Sequence, residues 1–310
     1  MPATILRGRF AWPRTRRRTV VTIGVFDGVH LAHQQLLQAT RRLARRLRAA
    51  SVAITFDPDP QHVLHPAQAQ PMLMPAAARI QALAALGVDG VWVIPFTPSF
   101  ARLSARAFAE RILFRRLHAE AVLLGEGFVF GRNQRGTMET LRALAEPQHV
   151  RVITLPRVRR GGMVVSSSRI RRLIAGGRLR EARMSLGRWP SLYGAVKPGA
   201  GRGRHLGFPT INIRLTSQVL PPEGVYAVVV KDARRRRRWR GVMNLGVRPT
   251  FGPGPRVCEV HLLGFHGRFA PRDVVVSLMG RLRGERCFPS IAALQRQIRH
   301  DIAKARTLLF

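Results

Sequence analysis

Lysine is nearly absent from this chain. Only Lys197, Lys231 and Lys304 stand among 53 basic residues in 310 positions, and the rest are arginine. Acids are scarce as well, 16 in all, which leaves a formal net charge of +37. So uneven a choice of cation, spread over the whole length, reads first as a compositional bias that took arginine wherever a cation was tolerated. Charge speaks to solubility and polyanion partners rather than to fold. A basic RNA-binding protein is the rival reading of the same charge. The run Arg234 to Arg238 sits between two strand-like stretches, GVYAVVV and WRGVMNLGV. It reads as the solvated tip of a hairpin, and no specific nucleic-acid partner is expected.

Cysteine is scarce too. Cys258 and Cys287 are the only two and form no metal-binding spacing, which excludes a disulfide-built scaffold and favours a reducing compartment. No apolar run approaches the ~20 residues of a membrane span, so no membrane partner is expected. The opening MPATILRGRFAWPRTRRR has no apolar leader core, and a cytoplasmic location is expected. What is present is a globular composition, 46% hydrophobic, in a chain long enough for two domains.

The first part alternates strand and helix patterns. RTVVTIGVF, SVAITF, GVWVIPF, AEAVLLG and HVRVITLP read as strands, with helical stretches such as AHQQLLQATRRLARRLRAA, RIQALAALGV and SARAFAERILFRRLH among them. That alternation predicts a parallel α/β sheet covered on both faces. After Gly187 short strands separated by Gly/Pro turns take over, which predicts a small antiparallel barrel. SIAALQRQIRHDIAKARTLL reads as a terminal helix capped by Ser290. The domains are placed at residues 1–187 and 188–310. A weak homo-oligomer is left open.

GVFDGVHLAH, Gly24 to His33, lies where the first buried strand meets a helix. Ligands of such sheets sit beyond the carboxyl ends of strands, and a helix start offers N–H groups and a positive dipole end to phosphate. His30 and His33 share a helix face and can each donate to phosphate oxygens. Two structural histidines are the plainer alternative. VSSSRIRRLIAGG adds Ser166, Ser167 and Ser168 at another helix start, with Arg171 one turn on. These suit phosphate as hydroxyl donors and a cation, or serve only as a cap and a solvated face.

GAVKPGAGRGRHLGFPTINI, Gly194 to Ile213, carries Gly199, Gly201, Gly203 and Gly207 with Arg204, a loop able to wrap phosphate. Pro209 fixes the backbone before Thr210 and Asn212, whose hard oxygens face one way and suit Mg²⁺ held jointly with ATP phosphates. A glycine-rich hairpin with a structural proline is the alternative.

TIGVFDGVHLAHQQLL, ITFDPDP, GFVFGRNQRG and VSSSRIRRLIAGGRLREARMSLGR resemble the adenylyltransferase module of bacterial bifunctional riboflavin kinase/FMN adenylyltransferases. The glycine-rich segment, with LPPEGVYAVVV, GVMNLGVRPTF, CEVHLLGF and RLRGERCFPS, resembles their kinase module. The resemblance implies a Rossmann-like nucleotidyltransferase domain followed by a kinase barrel. It implies riboflavin, FMN and ATP as substrates, FMN and FAD as products, and magnesium as cofactor. It assigns Gly24, Phe26, Asp27, Gly28, His30, His33, Ser166, Ser167, Ser168 and Arg171 to ATP and its phosphates in the first domain. It assigns Gly199, Gly203, Arg204, Gly207 and Pro209 to ATP in the second, with Arg283 and Asn244 on the flavin side and Glu285 as general base. Without it, Glu285 reads as an ion-pair partner of Arg283 or Arg286. Several positions depart from the family pattern: Ala32 for Gly, Ser168 for Thr, Gly127 for Asp or Asn, Asp59 for His and Gly284 for Asp, and Gly267 to Pro271 lack the usual Leu-Tyr-Gly. Two further expectations stand beside full bifunctionality: a kinase with a degraded first domain, and the RNA-binding protein.

Overall fold

Three strands of almost unbroken apolar sequence organise the first half of the molecule. β2 (Thr19–Ile23), β3 (Ala50–Phe56) and β4 (Gly90–Ile94) are buried along nearly their whole length, as strands covered on both faces must be. The structure, a computed structural model, describes residues 3–8, 18–198, 203, 206–235, 237–246, 257–267 and 269–309. With β1 (Thr4–Arg7), β5 (Ala119–Gly125) and β6 (Arg151–Leu155), these strands form an all-parallel sheet ordered β1-β4-β3-β2-β5-β6. Val21, Ile23, Val52, Ile54, Trp92 and Ile94 share one core with Phe100 and Ile112. Helix α1 (Leu31–Arg46) packs on β2, β3 and β5. The short α2 (Pro60–Leu64) follows β3, and α3 (Ala76–Ala85) packs on β4 and β1. After β4 come α4 (Pro98–Ala101) and α5 (Ala105–Phe108), the latter continuing as a wider helical turn to Phe114. α6 (Met138–Ala145) lies against β6.

Two sequence expectations need correction. β1 was not anticipated: four half-exposed or exposed residues at a sheet edge carry too little periodicity to show. The strand expected to run through Phe26 ends at Ile23, because Phe26 turns left-handed at φ +58°, a conformation no strand continues through.

From β2 the chain reaches β3 and β4 on one side, and β5 and β6 on the other. The carboxyl end of β2 is therefore the switch point where doubly wound sheets bind ligands.

By internal contacts the chain divides into two units: Met1–Gln70 with Ala76–Ser167, and Pro71–Pro75 with Ser168–Phe310. A small hairpin, β7 (Arg159–Arg160) and β8 (Met163–Val164), precedes α7 (Ser167–Ala175) and α8 (Leu179–Leu186). α8 stops at Gly187, left-handed at φ +74°.

The strands that follow are β9 (Ser191–Lys197), β10 (Thr210–Leu215), β11 (Gly224–Asp232), β12 (Arg238–Gly246), β13 (Val257–Leu262) and β14 (Asp273–Arg283). They close an antiparallel barrel ordered β10-β13-β12-β11-β14-β9. Tyr226, Met243, Val260 and Leu278 fill its interior. The terminal helix α9 (Ile291–Leu309), capped by Ser290 Oγ on Ala293 N at 3.2 Å, lies against β11, β12 and β14. It seals an outer apolar patch of Val225, Ala227, Val242 and Leu282 with Ala305.

Candidate active sites

The turn after β2 is strained in a specific way. Phe26, Gly28 and Val29 all have positive φ, at +58°, +78° and +40°. Phenylalanine and a β-branched valine hold such angles only where the surroundings over-determine them, and such residues cluster at functional sites. Gly24 N donates to Ile54 O at 3.1 Å, which pins the turn to the sheet. Phe26 and Asp27 are buried. His30 then caps α1 in extended backbone, with no side-chain cap bond and no acid in the first turn. The positive end of α1 is thus left to an anion.

The two imidazoles stack, with centroids 3.6 Å apart and planes 20° from parallel, and Phe26 meets His33 edge-on at 5.2 Å. His30 is buried, and His33 is half-buried with its Nδ1 enclosed. Burial, then His30 and then Arg79, holds His33 well below its ordinary pKa. His33 is therefore neutral at pH 7.

Arg79 is the residue that sequence reasoning missed. It looked like one more basic residue on α3, yet it is 1% exposed. Its Nη2 donates to Phe56 O, while its Nε has no hydrogen-bond partner among the described residues. Burial pulls its pKa down, and Asp27, Asp59 and Asp57 pull it back. The one available signal was its position four residues beyond Pro75 in a mostly apolar helix, which does not distinguish a buried arginine from an exposed one.

Ser167, the first residue of α7, donates its hydroxyl to Asp27 O at 3.0 Å. It is thus tied to the histidine turn, and Ser166 is its neighbour in sequence. Ser168 and Arg171 fall in the second unit, where Arg171 Nε donates to Pro71 O at 2.8 Å. Asp59 caps α2, accepting from Gln61 N at 2.8 Å. Gly127 is left-handed at φ +77° in the loop after β5.

In the barrel, register decides everything. Asn212 pairs with Glu259, Glu259 with Asn244, Asn244 with Val225, and Val225 with Arg283. Because side chains alternate across a strand, this row points outward, opposite to the packed interior, and Thr210 and His261 stand two residues along on the same face. Under α9 the row borders a cavity lined by Gly203, Thr210, Asn244, Glu259, Arg283, Glu285 and Asp301 among others. Asn212 does not line the cavity itself.

Arg283 is held from α9. Arg283 Nη2 meets Asp301 Oδ2 at 3.0 Å, its Nε reaches both carboxylate oxygens, and both side chains are largely buried. Gln297 Nε2 donates to the same Asp301 at 2.9 Å, and Arg283 lies 5.5 Å over the Phe288 ring. Glu285 packs against Gly246, where φ is +154° and a Cβ would collide with its carboxylate. Pro209 O bonds His261 Nδ1 at 2.9 Å, and Gly207 takes φ +84° beside it. Gly203 O accepts from Phe208 N, closing the loop end onto Thr210. Gly199 and Arg204 lie outside the described residues, as do Gly201, Arg248 and Thr250.

The family model for FAD synthetase matches residues 13–169, and that for riboflavin kinase matches residues 186–309. The chain belongs to the bifunctional riboflavin kinase/FMN adenylyltransferase family. A family member from Pseudomonas fluorescens is 35% identical over 98% of this chain and 97% of its own length. One from Escherichia coli K12 is 33% identical over 93% and 91%. A crystal structure described as a macrolide-efflux protein from Streptococcus pneumoniae superposes with a TM-score of 0.85 at 28% identity, covering 99% of both chains. That likeness extends over both units. Among the described residues here, no helix is long and apolar enough to cross a membrane.

Two of the positions expected to depart from the family pattern, Gly127 and Asp59, are treated leniently by the fold. Gly127 keeps a backbone angle that Asn and Asp also tolerate, and a Cβ there would meet only Arg157 Nη2 at 3.7 Å. Asp59 has a structural use as a cap. Cys258 and Cys287 are both free, and burial with Glu259 nearby pushes the Cys258 thiol up to about 12, so it stays protonated.

Proposed function

We propose that this protein phosphorylates riboflavin to FMN with ATP on the α9-covered face of its barrel, and transfers AMP from a second ATP to FMN at the histidine turn, giving FAD and pyrophosphate. The observation that carries the reading is the cavity under α9, which collects Thr210, Asn244, Glu259 and Arg283 from four strands, and Glu285 from the segment just after β14.

In the kinase step Glu285 accepts the proton of the riboflavin 5′-hydroxyl. Phosphoryl transfer is loose, so the carboxylate chiefly orients that hydroxyl. Arg283, locked by Asp301, and Asn244 line the flavin side. Gly203, Gly207, Pro209 and, beyond the described residues, Gly199 and Arg204 receive ATP. Thr210 and Asn212, on the same face of β10, offer hard oxygens beside Glu259, a donor set that fits magnesium held mainly by phosphate and water. When bound, the ion would offset the charge that builds on the phosphate oxygens.

In the adenylyl step the turn from Gly24 to Gly28 holds ATP at the switch point. His30 and His33 donate to the reacting phosphates, and the arriving negative charge draws His33 toward protonation. Ser166, Ser167, Ser168 and Arg171 receive the triphosphate. The adenylyltransferase is assigned to residues 1–187 and the kinase to 188–310.

The test is incubation of the full chain with riboflavin and MgATP, followed by chromatographic separation of flavins, with a parallel reaction started from FMN and read by pyrophosphate release. FMN followed by FAD is expected. FMN alone, with no pyrophosphate from added FMN, reduces the protein to a kinase. No flavin conversion overturns the reading.

A further inference from the structure

The arginine run between β11 and β12 has no part in either reaction. Its neighbours make it more than a solvated tip. At that end of the barrel Trp239, Phe265 and Phe269 gather: Trp239 and Phe269 centroids lie 4.8 Å apart, Phe265 and Phe269 5.8 Å, and all pairs are edge-to-face. The rings rest on the barrel core yet stay half-buried, and they floor a cleft of about 250 Å³ rimmed by Arg234, Arg235, Arg237 and Arg272.

The nearby acids do not neutralise that rim. Asp232 is buried, and its Oδ1 accepts from the backbone N–H of Arg234 and Arg235, at 2.8 and 3.3 Å, so it shapes the turn. Asp273 pairs with Arg234 at 3.5 Å. Among the described residues no carboxylate pairs with Arg235, Arg237 or Arg272. Adjacent like charges repel, and a bound polyanion relieves that repulsion beyond what water and salt do. Apolar rings that merely plugged a barrel end would need no such collar.

Half-buried aromatic rings at the floor of a cationic groove suit single-stranded nucleic acid: a base stacks on a ring while arginines follow the phosphates. The ring-floored part of the cleft accepts one ring system, and a longer ligand would run over the arginine rim. Splayed, unstacked bases are the ordinary state of RNA loops and ends. We infer that this arginine-ringed aromatic cleft binds single-stranded RNA without sequence selectivity, one base on the rings and flanking phosphates on the guanidinium groups. It lies roughly 25 Å from the cavity under α9, the run of β11 at about 3.3 Å per residue, so it can be occupied independently of kinase turnover.

The test uses the full chain and a fluorescein-labelled 12-nucleotide oligo(U), followed by anisotropy over a salt series. Arg235→Ala/Arg237→Ala/Arg272→Ala should weaken binding at least tenfold and flatten the log–log salt slope by about 2, since each phosphate contact to a single strand contributes about 0.7. Phe269→Leu should weaken binding about tenfold with little change in slope, because a stacked base is lost without a charge. Riboflavin phosphorylation should persist in both variants, which also reports that the barrel is folded. A Trp239→Leu variant gives a second reading of stacking should Phe269→Leu fail to fold. Unchanged binding in the triple variant overturns the proposal, since the charge responsible then lies elsewhere. Binding of duplex RNA as tightly as the single strand overturns it too. So does displacement of the oligonucleotide by micromolar ATP or FMN, which would make the cleft a mononucleotide pocket.

Discussion

The two candidate active sites are built in opposite ways. The histidine site is local: Gly24 to His33 form one strained turn at the end of one strand, and the chemistry is carried by backbone angles, a helix start and two stacked rings. The kinase site is assembled at long range, from β10, β12, β13, β14 and α9, and no two of its key polar residues are adjacent in sequence. A local site depends on turn strain and burial. A long-range site depends on strand register and on the helix that covers it, so its parts fail differently.

The largest expected effect separates the two sites outright. Glu285→Gln should slow riboflavin phosphorylation by about 10²–10⁴-fold, the usual contribution of a positioned base, while pyrophosphate release from added FMN stays at its original rate. Full kinase speed in that variant, measured by flavin chromatography, would remove Glu285 from the mechanism.

Next comes the clamp beneath the cavity. Asp301→Ala leaves Arg283 buried without its carboxylate, at a cost of about 3–5 kcal/mol. Urea unfolding followed on the barrel should show that loss, whereas Arg283→Met/Asp301→Leu should recover most of it because neither charge is then stranded. Equal stability of Asp301→Ala and the parent would mean that α9 does not depend on the pair.

The histidine site should show itself through pH. An unfolded chain takes up a proton near pH 6.5, while folded His33 resists until well below that value. Stability of the first unit should therefore be flat above about pH 7.5 and fall as the pH drops through 6.5, with a slope approaching about 1.4 kcal/mol per pH unit. His33→Gln should flatten that slope. Thermal unfolding from pH 8 to 5 measures it, and an equally steep curve in the variant would place the effect elsewhere.

The smallest effect sharpens the local site. Gly127→Asn keeps the left-handed backbone and supplies the kind of side chain that the family resemblance implies there. It should leave stability within about 0.5 kcal/mol and lower the KM for FMN or ATP in adenylyl transfer by up to about fivefold, the worth of one hydrogen bond. A rise in KM would show that the open space around Gly127 is itself required.

Much of this molecule was legible before any coordinates. The alternation of apolar runs with helical spacing pointed to the parallel sheet, because strands buried on both faces must be apolar throughout. The Gly/Pro-spaced strands after Gly187 pointed to the barrel. The GVFDGVH turn and the GFPTINI segment announced themselves because their chemistry is contiguous. Four residues at a sheet edge, Thr4–Arg7, carried too little pattern to show. Arg79 and Asp301 looked like two more exposed charges in a basic chain, since sequence records a residue's type and not what closes over it.

The sequence by itself therefore determined most element types, their order and two stretches suited to phosphate, all of which depend on periods and turn chemistry within a dozen residues. Only the tertiary structure decided that Asn212, Glu259, Asn244 and Arg283 form one row on the barrel's outer face, that Asp301 reaches Arg283 from α9, and that Gly246 makes room for Glu285. Register and helix docking are agreements between segments far apart in the chain. They are settled by which apolar faces bury one another, and one residue of slip would turn each of these side chains to the other face of the barrel.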